Sequence, residues 1–370
     1  VRILFDYRPA LRERTGVGAY MHETARALAQ TATPEESVVL FSSSWKDRLA
    51  PDAVPPLGTL DRRIPVRWLN RLWHRAEWPS VELLTGRRWD IAQAAHPILI
   101  PSRRAAGVVT LHDLDFLDHP ERTSAEIRRD YPELAARHAV MADQVIAVST
   151  YTARGVETRF GVNPTRITVC PPGAPDWEAR PRLPLNGHIL FLGTLEPRKN
   201  LDVLLEAYTR LLARRAAVPP LVLAGRIDPS ASGIVERAGR PPLAGRVQLP
   251  GYVSETARRQ LFDDAVVFVL PSHTEGFGIP AVEAMKAGVP VIAADRGALP
   301  ETVGDAGARF DPGDAEQLTH LLDDIVSSRE RQQHMADAGL RHVARFTWRH
   351  TANRTREAWR LALEHRSARG

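Results

Sequence analysis

The chain has 370 residues, 44% hydrophobic and 25% charged, which is the balance of a folded globular protein with room for two domains of about 150–200 residues each. Its formal net charge of +5 comes from basic residues scattered along the chain, with no basic tail or dense block, so a nucleic-acid partner is not expected. No run of about eighteen apolar residues exists, which excludes a membrane-spanning helix.

The chain opens on the strand-like Val1–Phe5, so no signal peptide is expected, and the single cysteine, Cys170, rules out an internal disulfide and suits a reducing cytoplasm. Cys170 stands in an apolar stretch before Pro171-Pro-Gly173 with no base beside it, the setting of a buried structural thiol rather than a nucleophile. Only Lys46, Lys199 and Lys286 of the 49 basic residues are lysines, so a lysine inside a motif is informative.

Unbroken runs rich in Val, Ile and Leu predict strands buried on both faces, as in parallel sheets. In chain order these are Val1–Phe5, Val38–Phe41, Asp90–Ala92, Val108–Leu111, Val145–Val148 and Ile167–Cys170. A second series follows at His188–Leu192, Leu221–Ala224, Val247–Leu249, Val266–Leu270 and Val291–Ala294. Helical patterns lie between many of them, for example Leu201, Leu204, Leu205, Tyr208, Leu211 and Leu212 on one face, with Asn200 placed to cap that helix. The class is therefore α/β: two Rossmann-like, doubly wound domains facing across a cleft at the carboxyl ends of both sheets. The proline-rich Pro171–Pro184 is the linker candidate, giving domains 1–175 and 176–349. A last helix, roughly Thr347–Glu364, has no strand after it, and residues 350–370 are expected to complete the first domain.

Several segments carry chemistry. Gly16-x-Gly18 fails the dinucleotide fingerprint, since residue 21 is Met and the loop begins well beyond the first strand; an ordinary loop turn is the alternative to a ligand loop. Arg63–Pro79 interleaves Trp68, Leu72, Trp73 and Trp78 with Arg67, Arg71 and Arg75. This stretch offers either tryptophans that pack a helix onto the first sheet, the favoured reading, or a face for the inner membrane surface. His112-Asp113 closes a buried strand, where the histidine either serves a site or simply bonds neighbouring backbone. Asp113-Leu-Asp115 resembles a carboxylate pair, but without a His/Cys motif no metal is expected.

The strand His188–Leu192 runs into Gly193-Thr-Leu-Glu-Pro-Arg198-Lys199-Asn200 just before a helix, where two cations and free amides suit a diphosphate; solvated loop charges are the alternative. Val266–Leu270 runs into Pro271-Ser-His-Thr-Glu275-Gly-Phe-Gly-Ile-Pro280-Ala-Val-Glu283. Gly276, Phe277 and Gly278 bring backbone amides close to a ligand, while Glu275 and Glu283 are acceptor-only groups for sugar and ribose hydroxyls. An exposed helix glutamate is the alternative for each.

The Glu275-x7-Glu283 run, together with Gly193–Asn200, Gly297-Ala-Leu-Pro-Glu301, Asp311-Pro-Gly-Asp314 and Phe346-Thr-Trp348, resembles the retaining family-4 glycosyltransferases. Gly16-Val-Gly-Ala-Tyr20, Leu111-His-Asp113, Val148-Ser149 and Pro171-Pro-Gly173 agree, so the resemblance spans nearly the whole chain. Within the family it is most similar to bacterial mannosyltransferases of surface-polysaccharide assembly.

The resemblance implies a first domain for the acceptor and a second for a nucleotide-sugar donor, with GDP-mannose as the donor and a glycan or lipid-linked glycan as acceptor. It implies no cofactor and no metal. Lys199, helped by Arg198, would neutralise the diphosphate; Glu283 would take the ribose; and Glu275 with the amides of Gly276, Phe277 and Gly278 would hold the transferred sugar. His112 would lie beside that sugar, Tyr252 and Val253 would face the base, and Gly16 and Gly18 would approach the donor phosphate. Thr194 stands where many members carry an arginine, so the usual pair of phosphate cations is not fully reproduced. An epimerase of the same fold, or a non-catalytic nucleotide-sugar sensor, is the alternative function.

Overall fold

A computed structural model describes residues 1–11, 16–120 and 125–369. The chain forms two compact units, Val1–Gly173 with Thr347–Gly370, and Ala174–Phe346.

The first unit is built on strands β1 (Arg2–Asp6), β2 (Ser37–Ser43), β3 (Gly58–Arg62), β4 (Ile91–Gln93), β5 (Ala106–Leu111), β6 (Gln144–Ala147) and β7 (Ile167–Val169). They lie in the order β3-β2-β1-β4-β5-β6-β7, every neighbouring pair parallel. The middles of central strands such as β1 and β5 are apolar, as expected of strands covered on both faces, and Ile3, Leu4, Phe5, Val108 and Val109 are fully buried. Val81, Trp89, Phe41 and Trp73 fill one of the layers against the sheet. The last helix, Trp348–Arg369, belongs to this unit. Trp359 anchors it by donating Nε1 to Gln93 Oε1 at 2.6 Å, and Arg356 reaches Glu36 at 2.6 Å.

The second unit has β8 (His188–Leu192), β9 (Leu221–Ala224), β10 (Val247–Gly251), β11 (Ala265–Leu270), β12 (Val291–Ala294) and β13 (Ala308–Phe310). Their order is β10-β9-β8-β11-β12-β13, again all parallel. Strand order reverses between β8 and β11, so the loops leaving their carboxyl ends meet at the switch point where open α/β sheets take ligands.

Two strands escape the apolar-run criterion, β3 and β13. Both are edge strands: β3 buries only Leu60 fully and β13 only Phe310, so neither needs a continuous hydrophobic stretch. No helix among the described residues is long and apolar enough to cross a membrane.

Candidate active site

The site of the second unit grows from the β8 and β11 loops. After Leu192 the chain makes a short 3₁₀ turn, Pro197–Lys199, then enters the helix Leu201–Arg214. Asn200 occupies the residue before that helix, but it does not cap it. Its backbone is left-handed (φ +53°), which turns the side-chain amide away from the helix to donate to Pro271 O at 3.1 Å and Pro312 O at 2.8 Å. Asn200 thus ties the β8 loop to the β11 loop and to the loop after β13.

That tie brings Arg198 and Lys199 onto Glu275. Lys199 Nζ donates to Glu275 Oε1 at 2.6 Å and Arg198 Nη1 to Oε2 at 3.3 Å, while Ser272 Oγ donates to Oε1 at 2.7 Å. Arg198 also bonds Thr274 O at 3.2 Å and Glu196 Oε1 at 3.0 Å. Glu275 is only 8% exposed. Burial alone would push its carboxyl up, but the charges of Lys199 and Arg198 and the bonds from Lys199 and Ser272 outweigh it and hold the group at about 2. The sequence assigned these cations and this carboxylate to different parts of a ligand; the structure pairs them with each other.

Two glycines allow the close packing around Glu275. Gly278 (φ +96°) precedes the helix Ile279–Lys286, and a Cβ there would meet Leu299 Cδ2 at 2.6 Å. Gly297 (φ +62°) lets its loop lie against the Glu275 backbone, where a Cβ would come within 2.8 Å of both its N and O. Gly276, Phe277 and Gly278 are all buried, and Phe277 packs edge-on to Phe346 with centroids 5.3 Å apart.

Glu283 lies on the helix Ile279–Lys286 and is 6% exposed, so it is not a surface glutamate. Burial raises its carboxyl, and Arg258 Nη2, paired to Oε2, offsets that only in part. Arg258 comes from the helix Glu255–Asp263, which follows the Tyr252-Val253 loop; Tyr252 is 58% exposed. Neither Arg258 nor Ser272 was singled out in the sequence. Ser272 sits three residues before Glu275 within the motif and was legible there, whereas Arg258 has no local signature. Thr194 is half-buried in the β8 loop.

His112, Gly16 and Gly18 belong to the first unit. His112 follows β5, shares a hydrogen bond between Nε2 and Ala95 O at 3.1 Å, and meets the Tyr20 ring edge-on at 5.2 Å. Burial, then the nearby His96, press its imidazole down to about 3, so it is neutral. Gly16 (φ +52°) stands immediately before the helix Val17–Gln30 and accepts from Tyr20 N at 3.0 Å, while Gly18 is buried in that helix's first turn. Asp113 accepts from the Asp115 backbone amide at 3.3 Å. Cys170 is buried and its thiol is pushed up to about 12, chiefly by burial.

The tryptophan stretch divides. Trp73 is 2% exposed, stacks on Phe41 at 6.1 Å, donates Nε1 to Pro79 O at 3.0 Å and carries Arg8 over its ring at 4.9 Å. Trp68 and Trp78 are 66% and 54% exposed, so packing onto the sheet explains Trp73 and not its neighbours. Trp68 and Leu72 share the outward face of the helix Val66–Ala76 with the exposed Arg67, Arg71 and Arg75.

The chain matches two family models that follow one another along it: Glycosyltransferase Family 4 over residues 14–176 and Glycosyl transferases group 1 over residues 178–342. It is 29% identical to O-antigen chain mannosyltransferase B of Escherichia coli, over 98% of this chain and 100% of that protein. It is 30% identical to the serotype-specific mannosyltransferase WbdA of Escherichia coli, over 48% of this chain but only 22% of that longer protein. Among solved structures, the sucrose-phosphate synthase of Thermosynechococcus elongatus superposes with a TM-score of 0.76 at 20% identity, covering 97% of this chain and 98% of that one, a likeness of fold.

Proposed function

The chain is a glycosyltransferase of the GT-B fold related to the group 1 and family 4 enzymes, and we propose that it transfers mannose from GDP-mannose, with retention at the anomeric carbon and without a metal, to a glycan or lipid-linked glycan. The observation that carries this reading is the near-buried network of Lys199, Arg198 and Glu275 at the carboxyl ends of β8 and β11.

A donor diphosphate competes with Glu275 for Lys199 and Arg198. As it takes those cations it frees the Glu275 carboxylate to accept from hydroxyls of the sugar, so donor entry switches Glu275 from ion-pair partner to sugar ligand. Charge then builds on the diphosphate as the glycosidic bond breaks, and Lys199 and Arg198 stabilise that charge more in the transition state than in the ground state. Glu283 takes the ribose hydroxyls, Tyr252 and Val253 face the base, and the amides of Gly276, Phe277 and Gly278 flank the sugar. In the first unit, neutral His112 bonds a sugar hydroxyl, and Gly16 opens its helix toward the donor phosphate. The acceptor belongs to the first unit, whose Trp68, Leu72 and Trp78, ringed by arginines, suit an anionic inner-membrane surface.

Mannose is favoured because both relatives named above are mannosyltransferases. A thermal-shift panel of nucleotides and nucleotide sugars tests the donor, since ligand at a hundred times its Kd adds about 2.7 kcal/mol. GDP-mannose is expected to give the largest shift; a larger one with UDP-glucose replaces the donor assignment.

A further inference from the structure

Glu283 is the more solitary of the two buried carboxylates. Where Glu275 has three side-chain donors, Glu283 has one, Arg258 Nη2 on Oε2. Its Oε1 accepts no hydrogen bond among the described residues, and the residue retains 6% of its surface. Arg258 is itself largely buried, with 22% of its side chain exposed, and its Nε is a buried donor without a partner. An arginine, largely buried, spent on one carboxylate oxygen restrains that oxygen and leaves the second for a ligand.

We propose that Arg258 is a positioning residue for donor recognition: by holding Oε2 it orients Glu283 and presents Oε1 to a ribose hydroxyl. The proposal rests on the reading of Glu283 as the ribose ligand. It also links two parts of the donor, because Arg258 stands on the helix that begins two residues after Tyr252-Val253, the segment assigned to the base.

The electrostatic setting makes the role testable by pH. The charged groups acting on Glu283 are Arg258, which favours ionisation, and Glu255 on the same helix, which opposes it. Of the elements packed against the Glu283 helix, β11 and β12 carry no charged side chain, and the helix Arg329–Val343 lays Gly339 against Met285. The helix Leu299–Val303 carries one ionisable side chain, Glu301, and no cation that could stand in for Arg258. Without Arg258, burial and the Glu255 charge act unopposed, so Glu283 titrates at higher pH and is neutral over more of the working range.

The experiment compares the affinity of the full chain for GDP and for 2′-deoxy-GDP, with the uridine pair alongside, between pH 6.5 and 8.5. Wild type is expected to prefer the ribonucleotide by about tenfold or more, the size of a charged hydrogen bond, and Glu283→Gln to lose that preference. Arg258→Gln should shrink it to about twofold at pH 6.5 and recover part of it at pH 8.5, a dependence that purely structural damage does not produce. If wild type itself shows no preference, the ribose reading fails and this inference falls with it. If Glu283→Gln loses the preference while Arg258→Gln keeps it undiminished at every pH, only the inference is overturned. Should Arg258→Gln not fold, Arg258→Met replaces it with the same expectation, and undiminished wild-type discrimination by a folded Arg258→Met at every pH refutes the role.

Discussion

Replacing Glu275 by glutamine should tighten the binding of free nucleoside diphosphate while stopping sugar transfer. In the wild type a diphosphate must take Lys199 and Arg198 from a carboxylate that bonds them at 2.6 and 3.3 Å. A hydrogen bond to a charged group is worth about 1.5–3 kcal/mol; glutamine leaves the donors cationic but removes the carboxylate charge, so about half of that, roughly 1–1.5 kcal/mol, is lost from the competing interaction. That corresponds to about five- to tenfold tighter binding, and removal of a negative charge beside the anion acts in the same direction. Titration calorimetry with GDP and UDP on both proteins measures it, with transfer activity followed in parallel. The pH dependence gives a second readout. Because the Glu275 carboxyl is held at about 2 against an ordinary 4.5, its contribution to stability is full above pH 4.5 and lost as the pH falls toward 2. Glu275→Gln should flatten that window. Equal or weaker nucleoside-diphosphate binding by the variant would refute the competition on which the mechanism turns.

Lys199→Ala should lower kcat and kcat/KM together, far more than it weakens donor binding, and Lys199→Arg should recover binding better than rate; steady-state kinetics with circular dichroism decide, and a change in KM alone makes Lys199 a ground-state binder. Trp73→Ala should cost about 3–5 kcal/mol in urea unfolding, whereas Trp68→Ser, at a 66% exposed position, should change stability by about 0.5 kcal/mol or less and release the protein from anionic vesicles. Undiminished vesicle binding by Trp68→Ser would remove the membrane role of that face. His112, held down to about 3 from 6.5, favours the folded state above pH 6.5 and loses that contribution as the pH falls toward 3; His112→Asn should therefore flatten the melting temperature across this range.

Much of this molecule was legible because both sheets are parallel and their central strands are buried on both faces, so each announces itself as an apolar run. β3 and β13 were not: their sequences, Gly-Thr-Leu-Asp-Arg and Ala-Arg-Phe, each place polar or charged residues beside one buried side chain, so no apolar run marks them. Lys199 stood out only against a background of arginine, and the same background hid Arg258, whose partner lies 25 residues away across a strand and its loop. Sequence spacing placed Trp68 and Trp73 in one helix, but which of them faces inward depends on Phe41 and Arg8, which receive the Trp73 ring. Asn200 was read as a cap from residue type alone; its left-handed backbone, required to bridge two loops, gave its side chain another task.

The central claim is sugar transfer with retention, and it is tested most directly by proton NMR of the first-formed product from GDP-mannose and a panel of glycan acceptors, with a chelator present. The account predicts an α-linked mannosyl product, with one GDP released for each linkage made. A β-anomeric signal, a requirement for added divalent metal, or conversion of the donor to an epimer in the absence of any acceptor would contradict it.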